Sequence, residues 1–531
     1  MAKMTGGQAL AKSLYREGVR VIFGLPGVQL YHLMDGLYDE TGIRFINTRH
    51  EQATAYMADG YARASGGIGA ALVVPGPGLQ NASAAIGTAY AASSPVFVVA
   101  GQVERDMIGV DRGVLHEIND QLDTIRPVTK WAHRILDPTE IPSAVHEAMH
   151  QLKTGRPRPV EIEIPPETLS DEADIELLEP GIFERPPADA ARLREAAKMI
   201  GEASNPLIYV GGGAVASDAG GALVKIAEFL QAPVMTTAEG KGAISDRHYL
   251  SMGGFRFRND PWMDRMRKHD LVLAVGTRLA NPNVLSQKVV QIDIDDAELG
   301  RNYDDTFGLQ GDARRTLEEL QKLLSASGAP RQNRQAEMEE LKAERANPDF
   351  RVEPQHGYTQ AIRNAMPDDG IIVAGMTQIG YYSRSNFPVY EPRTYLTSSY
   401  FGNLGFAYPV ALGAKVAKPD KAVVAVSGDG GFLFNSQELA TAVKHKINAV
   451  VVVFNDNAFG NVLRDQTNRF NGRTIGSEVH NPDFVKLAEA YGARGVLANG
   501  AAELEAALSE SLAIEAPTLI EVPVGMMPSP F

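Results

Sequence analysis

Short apolar, β-branched runs recur along this chain with room for one helix between neighbours, and they do so in three separate blocks. The first block comprises residues 19–23, 44–47, 70–74, 96–99 and 160–164. The second comprises 207–210, 234–236, 271–275 and 289–294, and the third 371–373, 395–398, 423–426, 450–454 and 518–522. Short β-rich runs alternating with helix-like amphipathic stretches are the pattern of a parallel sheet. The spacing predicts an α/β chain of three doubly wound parallel-sheet domains, over residues 1–170, 190–325 and 355–531. A length of 531 residues accommodates three domains of that size. Between them, 167–190 (acidic, with Pro180, Pro186 and Pro187) and 325–356 (charged, with Pro330, Pro348 and Pro354) read as linkers. The second carries a predicted solvated helix over 335–346. No short-period repeat is present, so the blocks are domains and not solenoid units.

Bulk properties narrow the function. A formal charge of −14 argues against nucleic acid or an anionic membrane surface as partner. The chain has no cysteine, which excludes disulfides, zinc–thiolate sites and thiol nucleophiles. Its opening residues hold no apolar signal core and no apolar run reaches membrane-spanning length, so the expectation is a cytoplasmic protein.

Two strand ends carry the chemistry. The run 422–426 leads into Ser427-Gly428-Asp429-Gly430-Gly431, and the run 449–454 ends in Asn455-Asp456-Asn457. In an open α/β sheet, ligands bind in the crevice beyond the carboxyl ends of strands. Carboxylate, amide and carbonyl oxygens suit a hard, octahedral Mg²⁺ whose remaining positions are filled by a diphosphate. Glycines between the strands let backbone amides approach that anion. Taken alone, the same residues also read as a tight turn and a plain strand end.

This pair of motifs resembles the signature of thiamine-diphosphate-dependent enzymes, and the resemblance covers nearly the whole chain. It implies pyrimidine-binding, central and diphosphate-binding domains in that order. It implies Mg²⁺ held by Asp429, Asp456 and the main-chain carbonyl of Ala458. The family has Asn where this chain has Asp456, so Asn455 or Asn457 stays open as the second ligand. Gly428, Gly430, Gly431, Phe459 and Gly460 belong to the same cofactor cradle. Met376, Thr377 and Gln378 would lie over diphosphate and pyrimidine, and Gly402 and Leu404 match the segment whose bulky residue holds the cofactor bent. In the first block, Arg49-His50-Glu51-Gln52-Ala53 opens a predicted helix over 52–64 and is similar to the family's His-Glu-x-x-Ala segment. That likeness makes Glu51 the acid that bonds a pyrimidine nitrogen and starts proton removal from the thiazolium carbon; the residue alone also reads as a first-turn Glu. Pro75, Gly76 and Asn81 form the turn and helix start beside the pyrimidine. Because family sites pair domains from two subunits, a homodimer at minimum is implied, and commonly a homotetramer.

Residues 393–418 and 291–295 resemble the acetolactate synthase branch, implying a small-molecule 2-oxo acid as substrate. Two departures bear on the reaction. Asp465 stands where that branch carries a Trp that selects the acceptor. His116, in Val114-Leu115-His116-Glu117, stands where those synthases carry Gln, and Glu117 replaces the second His of pyruvate decarboxylases. His116 is therefore a candidate proton donor or acceptor. Val28, Gln29, Leu115, Val462 and Arg464 are expected to contact substrate, Arg464 meeting a carboxylate or staying solvated. Glu51 argues against the glyoxylate carboligase branch, which lacks this acid. Gly211-Gly212-Gly213 and Arg278 are not the dinucleotide fingerprint, and residues 277–281 lack an acidic pair, so no FAD is expected. Decarboxylation followed by protonation or carboligation leads; diketone cleavage and a non-catalytic cofactor-binding role are the alternatives.

Overall fold

The computed structural model describes residues 2–255, 260, 262–280 and 287–530. Each apolar block builds one six-stranded sheet in which every pairing is parallel. The first holds strands Val21–Gly24, Arg44–Asn47, Gly69–Val73, Val96–Gly101, Trp131–Arg134 and Val160–Ile164, lying side by side as 2-1-3-4-6-5 when counted along the chain. The third holds Ile371–Ala374, Tyr395–Thr397, Val423–Gly428, Val450–Asn455, Arg494–Leu497 and Thr518–Pro523 in the same order, 2-1-3-4-6-5. The middle sheet, Pro206–Val210, Val234–Thr236, Ser251–Gly254, Leu271–Val275, Lys288–Asp293 and Thr306–Gln310, follows 3-2-1-4-5-6. Helices flank all three. Inner strands such as Gly69–Val73 and Val160–Ile164 are buried along their length, each buried Val or Leu contributing about 2 kcal/mol.

The expected runs all became strands, and within the three parallel sheets four further strands were not foreseen: Trp131–Arg134, Ser251–Gly254, Thr306–Gln310 and Arg494–Leu497. All four are sheet edges. An edge strand has one neighbour and needs no two-sided apolar run, so its sequence lacks the signal. The stretch 167–190 is not purely a linker. Its Glu172–Ile175 segment pairs antiparallel with Ala2–Thr5 at the start of the chain, with Lys3 and Glu172 bridged at 2.7 Å. The Gln335–Arg345 helix forms as predicted but is not fully solvated. Met338 and Leu341 are buried, and Arg345 reaches inward to Asp260 at 2.7 Å.

The first and third domains share one core. Helix Glu51–Ser65 lies against helix Ala407–Ala417, and Tyr56, Met57, Phe406, Tyr408 and Val410 pack in a single cluster with residues of both sheets. Contact is main chain to main chain: a Cβ on Gly60 would sit 2.1 Å from the Val410 carbonyl, and one on Gly413 1.9 Å from that of Met57. Only glycine fits there. The middle domain has its own core and is tied in at a three-way junction. Arg63 donates to the Thr397 carbonyl at 2.7 Å and to Glu239 at 2.8 Å.

Candidate active site

In the third sheet the strand order reverses between Ile371–Ala374 and Val423–Gly428, and the crevice at their carboxyl ends is where such sheets bind ligands. Thr377 follows the first of these strands and Asp429 the second; a Cβ on Gly428 would lie 3.5 Å from Thr377 Oγ1. Asp429 is 2 % exposed. Its Oδ1 accepts from the Gly430 amide at 2.8 Å, and its Oδ2 from Asn481 Nδ2 at 2.6 Å. Burial raises its carboxyl above the usual range, and backbone amides including those of Asn457 and Ala458 pull partly the other way. Burial, then the charge of Asp429, push Asp456 up to about 6. Two carboxyls placed so that one's charge acts on the other form a pair that a divalent cation would relieve. Glycines make room for it: a Cβ on Gly460 would lie 2.0 Å from Asp456 Oδ2, and one on Gly430 2.7 Å from the Phe459 ring. Of the three candidate second ligands, Asn455 spends its side chain on Glu521, Asn481 and the Asn457 amide. Asn457 sits at a left-handed φ of 53°. Asp456 is the one whose charge bears on Asp429. Met376 reaches Gly402, and Leu404 lies 3.8 Å from where a Gly431 Cβ would be.

The first sheet repeats this logic. Its order also reverses between the first and third strands, Val21–Gly24 and Gly69–Val73. Val28 and Gln29 follow one, Pro75 and Gly76 the other. Gly76 has φ 57°, and a Cβ there would meet the His116 carbonyl oxygen at 2.2 Å. That close approach brings the 114–117 loop onto the turn. His116 Nδ1 lies 3.0 Å from Gln29 Oε1, and Gln29 Nε2 donates to the Leu115 carbonyl at 3.2 Å. With Gln29 Oε1 as acceptor, Nδ1 carries the proton and Nε2 is left as the free ring nitrogen. Glu117 folds back onto the amides of Gly113 and Val114 at 2.7 and 2.9 Å, so it closes its own turn. Glu51 is buried at the first position of its helix, and Asn81 donates to its Oε2 at 3.1 Å.

Three models that together describe one enzyme architecture match most of the chain. The thiamine pyrophosphate enzyme N-terminal TPP binding domain matches residues 4–124, the central domain 193–320 and the C-terminal TPP binding domain 375–522. A probable acetolactate synthase large subunit of Methanocaldococcus jannaschii is 35% identical over 98% of this chain and 92% of its own length. The chain belongs to the thiamine pyrophosphate enzymes. A probable 2-ketoarginine decarboxylase of Pseudomonas aeruginosa is also 35% identical, over 98% of this chain and 94% of that protein. The acetolactate synthase isozyme 3 large subunit of Escherichia coli is 31% identical over 96% and 93%.

As a thiamine pyrophosphate enzyme, the chain has N- and C-terminal domains that meet beside these clusters. Asn435 donates to Gln52 Oε1 and to the Gly405 carbonyl, both at 2.9 Å, and buried Glu438 accepts from the Arg49 amide at 3.0 Å. Arg464 is not solvated. It is 6 % exposed and donates to Gln378 at 2.8 Å and to Asn461. Val28, Leu115 and Val462 remain 47, 62 and 49 % exposed. Sequence reading missed Gln121, which accepts from the Gly76 amide at 2.8 Å and donates to the Gly101 carbonyl at 2.9 Å. It also missed Glu438 and Asn481. None lies in a glycine turn or at the end of an apolar run. Separately, Gly211, Gly213, Gly276, Arg278, Asp293 and Arg156 line a cavity of about 530 Å³ at the reversal point of the middle sheet. Asn281, from the 277–281 stretch, lies outside the described residues. Among the described residues no helix is long and apolar enough to cross a membrane.

Proposed function

We propose that this enzyme decarboxylates a 2-oxo acid with Mg²⁺ and thiamine diphosphate, and completes turnover by protonation or by transfer to an acceptor carbonyl. The observation that carries the reading is the facing pair Asp429 and Asp456 in a glycine-lined crevice, a donor set that fits a divalent cation and its diphosphate. Asp429, Asp456 and the Ala458 carbonyl would hold the metal, and the Gly428–Gly431 turn would hold the diphosphate. Thiamine diphosphate, when bound, would supply the nucleophilic carbon and the electron sink that decarboxylation of a 2-oxo acid needs. Glu51, oriented by Asn81, would bond the pyrimidine nitrogen. Leu404, beside Gly431, would pack against the bound cofactor and position it. His116, its tautomer set by Gln29, moves a proton at Nε2. Arg464, with only neutral amides and a 3.7 Å contact to Asp465, meets the substrate carboxylate. Every step is redox-neutral, so the central cavity has no flavin chemistry to serve in it.

The exposed apolar rim at Val28, Leu115 and Val462 supports a closed site only when a second copy covers it, a homodimer or homotetramer in the cytoplasm. Domains at 1–170, 190–325 and 355–531 are supported by the three six-stranded sheets, one within each range.

Asp465 at the acceptor position, and the similarity to a 2-ketoarginine decarboxylase, favour a second reading in which protonation, not carboligation, ends the cycle. CO₂ release from a panel of 2-oxo acids, including pyruvate and a guanidinium-bearing one, with products identified, separates the two. Diketone consumption with no CO₂ from any 2-oxo acid would overturn both. Glu51→Gln is expected to keep Mg²⁺-dependent cofactor binding and lose about 10²-fold or more in turnover; unchanged turnover would refute its role.

A further inference from the structure

We infer that Asn481 is a positioning residue of the metal site: its amide locks the Asp429 carboxylate to the Asn455–Asn457 turn, so that the two strand ends present their oxygens as one rigid set. The inference rests on the Mg²⁺ reading of that site. Asn481 lies 52 residues beyond Asp429, outside both glycine and strand-end motifs, on the segment just before helix Phe484–Ala490.

The geometry fixes which end of the amide faces the site. Asn481 Nδ2 lies 2.6 Å from Asp429 Oδ2, 2.9 Å from Asn455 Oδ1 and 3.4 Å from Asn457 Oδ1. Three acceptors surround one nitrogen, so reversing the amide would set an oxygen against three oxygens. The outward Oδ1 is buried and has no partner. A side chain held with one end unsatisfied is held by its other end. Asn481 thereby joins the turn after Val423–Gly428 to the turn after Val450–Asn455, the two elements whose carboxylates must converge on one cation.

The backbone delivers Asn481 to this place. Residues 477–479 run antiparallel to 457–459: the Phe459 amide donates to the Ser477 carbonyl at 2.7 Å and the Val479 amide to the Asn457 carbonyl at 2.9 Å. Ser477 Oγ adds a bond to Gln466 at 3.0 Å. This pairing fixes the register, and with it where position 481 falls. Asp429 Oδ1 is already engaged by the Gly430 amide, so the bond from Asn481 to Oδ2 sets the rotation of the carboxylate and the direction of its free lone pairs. Residues that orient a metal ligand in this way typically govern metal affinity by about 10- to 100-fold.

The test is calorimetric titration of Mg²⁺ into the metal-stripped, full-length protein at fixed thiamine diphosphate, for wild type, Asn481→Ala, Asn481→Ser and Ser477→Ala. Ser477→Ala loosens the same segment without touching Asp429. The expected result is a Mg²⁺ dissociation constant at least about tenfold weaker for Asn481→Ala, with Ser477→Ala at the wild-type value and melting of the metal-free proteins alike. Wild-type Mg²⁺ affinity in Asn481→Ala overturns the inference. So does equal weakening in Asn481→Ala and Ser477→Ala, which would make the segment a mere staple. Should Asn481→Ala fail to fold, Asn481→Ser decides by the same criteria, since its hydroxyl is too short to span to Asp429. No Mg²⁺-dependent binding by wild type would overturn the metal reading itself and this inference with it.

Discussion

Glu438 should make this protein's stability depend on pH in a way that its neutral isostere does not. The residue is fully buried where the third domain meets the Glu51 turn. Its two oxygens accept from the Arg49 amide at 3.0 and 3.2 Å, and one accepts from Thr441 Oγ1 at 2.5 Å. Burial pushes its carboxyl up to about 7 from an ordinary 4.5, against the opposing pull of Thr441 and the Arg49 and His50 amides. The folded state therefore prefers the protonated acid. Its full stability is present below pH 4.5, falls as the unfolded chain releases the proton between 4.5 and 7, and is level above that. The gap amounts to about 3 kcal/mol at 1.4 kcal/mol per pH unit. Glu438→Gln removes the titration and keeps one acceptor for Arg49. The assay is thermal unfolding of cofactor-free wild type and variant from pH 4.5 to 8. Their difference in midpoint should drift against wild type by about 3 °C if the chain unfolds as one unit, and more if the third domain unfolds by itself. A difference that stays flat across that range would refute the argument.

Gly460→Ala is expected to abolish Mg²⁺-dependent cofactor binding, because its Cβ would fall 2.0 Å from Asp456 Oδ2; calorimetry with near-wild-type affinity would contradict this. Asp456→Asn removes a like charge beside Asp429, so the metal-free protein should gain about 1 kcal/mol at pH 7.5, an amount discounted for partial solvent screening. Denaturation without metal reads it out. His116→Ala should cut turnover about 10²-fold while leaving Mg²⁺ and cofactor affinity intact, as steady-state kinetics beside calorimetry will show. Gly413→Val should lower the melting temperature or leave the protein insoluble, since a Cβ there already meets the Met57 carbonyl at 1.9 Å.

What could be read from the chain alone divides along physical lines. Central strands of a parallel sheet are mostly apolar on both faces, so 70–74 and 450–454 announced themselves. Trp131–Arg134 and Arg494–Leu497, with one neighbour each, did not. Asp429 was visible because a glycine turn after an apolar run is a local pattern. Asn481, Gln121 and Glu438 act across the fold, and their partners at Asp429, Gly76 and Arg49 lie 52, 45 and 389 residues away. No local pattern encodes such a bond. Arg464 illustrates the same limit: composition allowed it to be solvated, and only packing shows it turned inward to Gln378. The acidic stretch at 172–175 read as a linker because a two-stranded ribbon needs no core of its own.

The joint between helices Glu51–Ser65 and Ala407–Ala417 has a consequence for how this enzyme can change. With Gly60 and Gly413 pressed against opposing carbonyls, the joint has no slack to be taken up by swapping one side chain for another. The placement of the Glu51 turn relative to the third domain of its own chain is then a constant of the molecule, inherited whole or lost whole. Diversification of substrate is left to the parts that hang clear of the joint: the turn at Val28, the loop at Leu115 and His116, and the helix start at Val462 and Arg464. An engineer seeking a new acceptor should vary those and leave the hinge-less frame untouched.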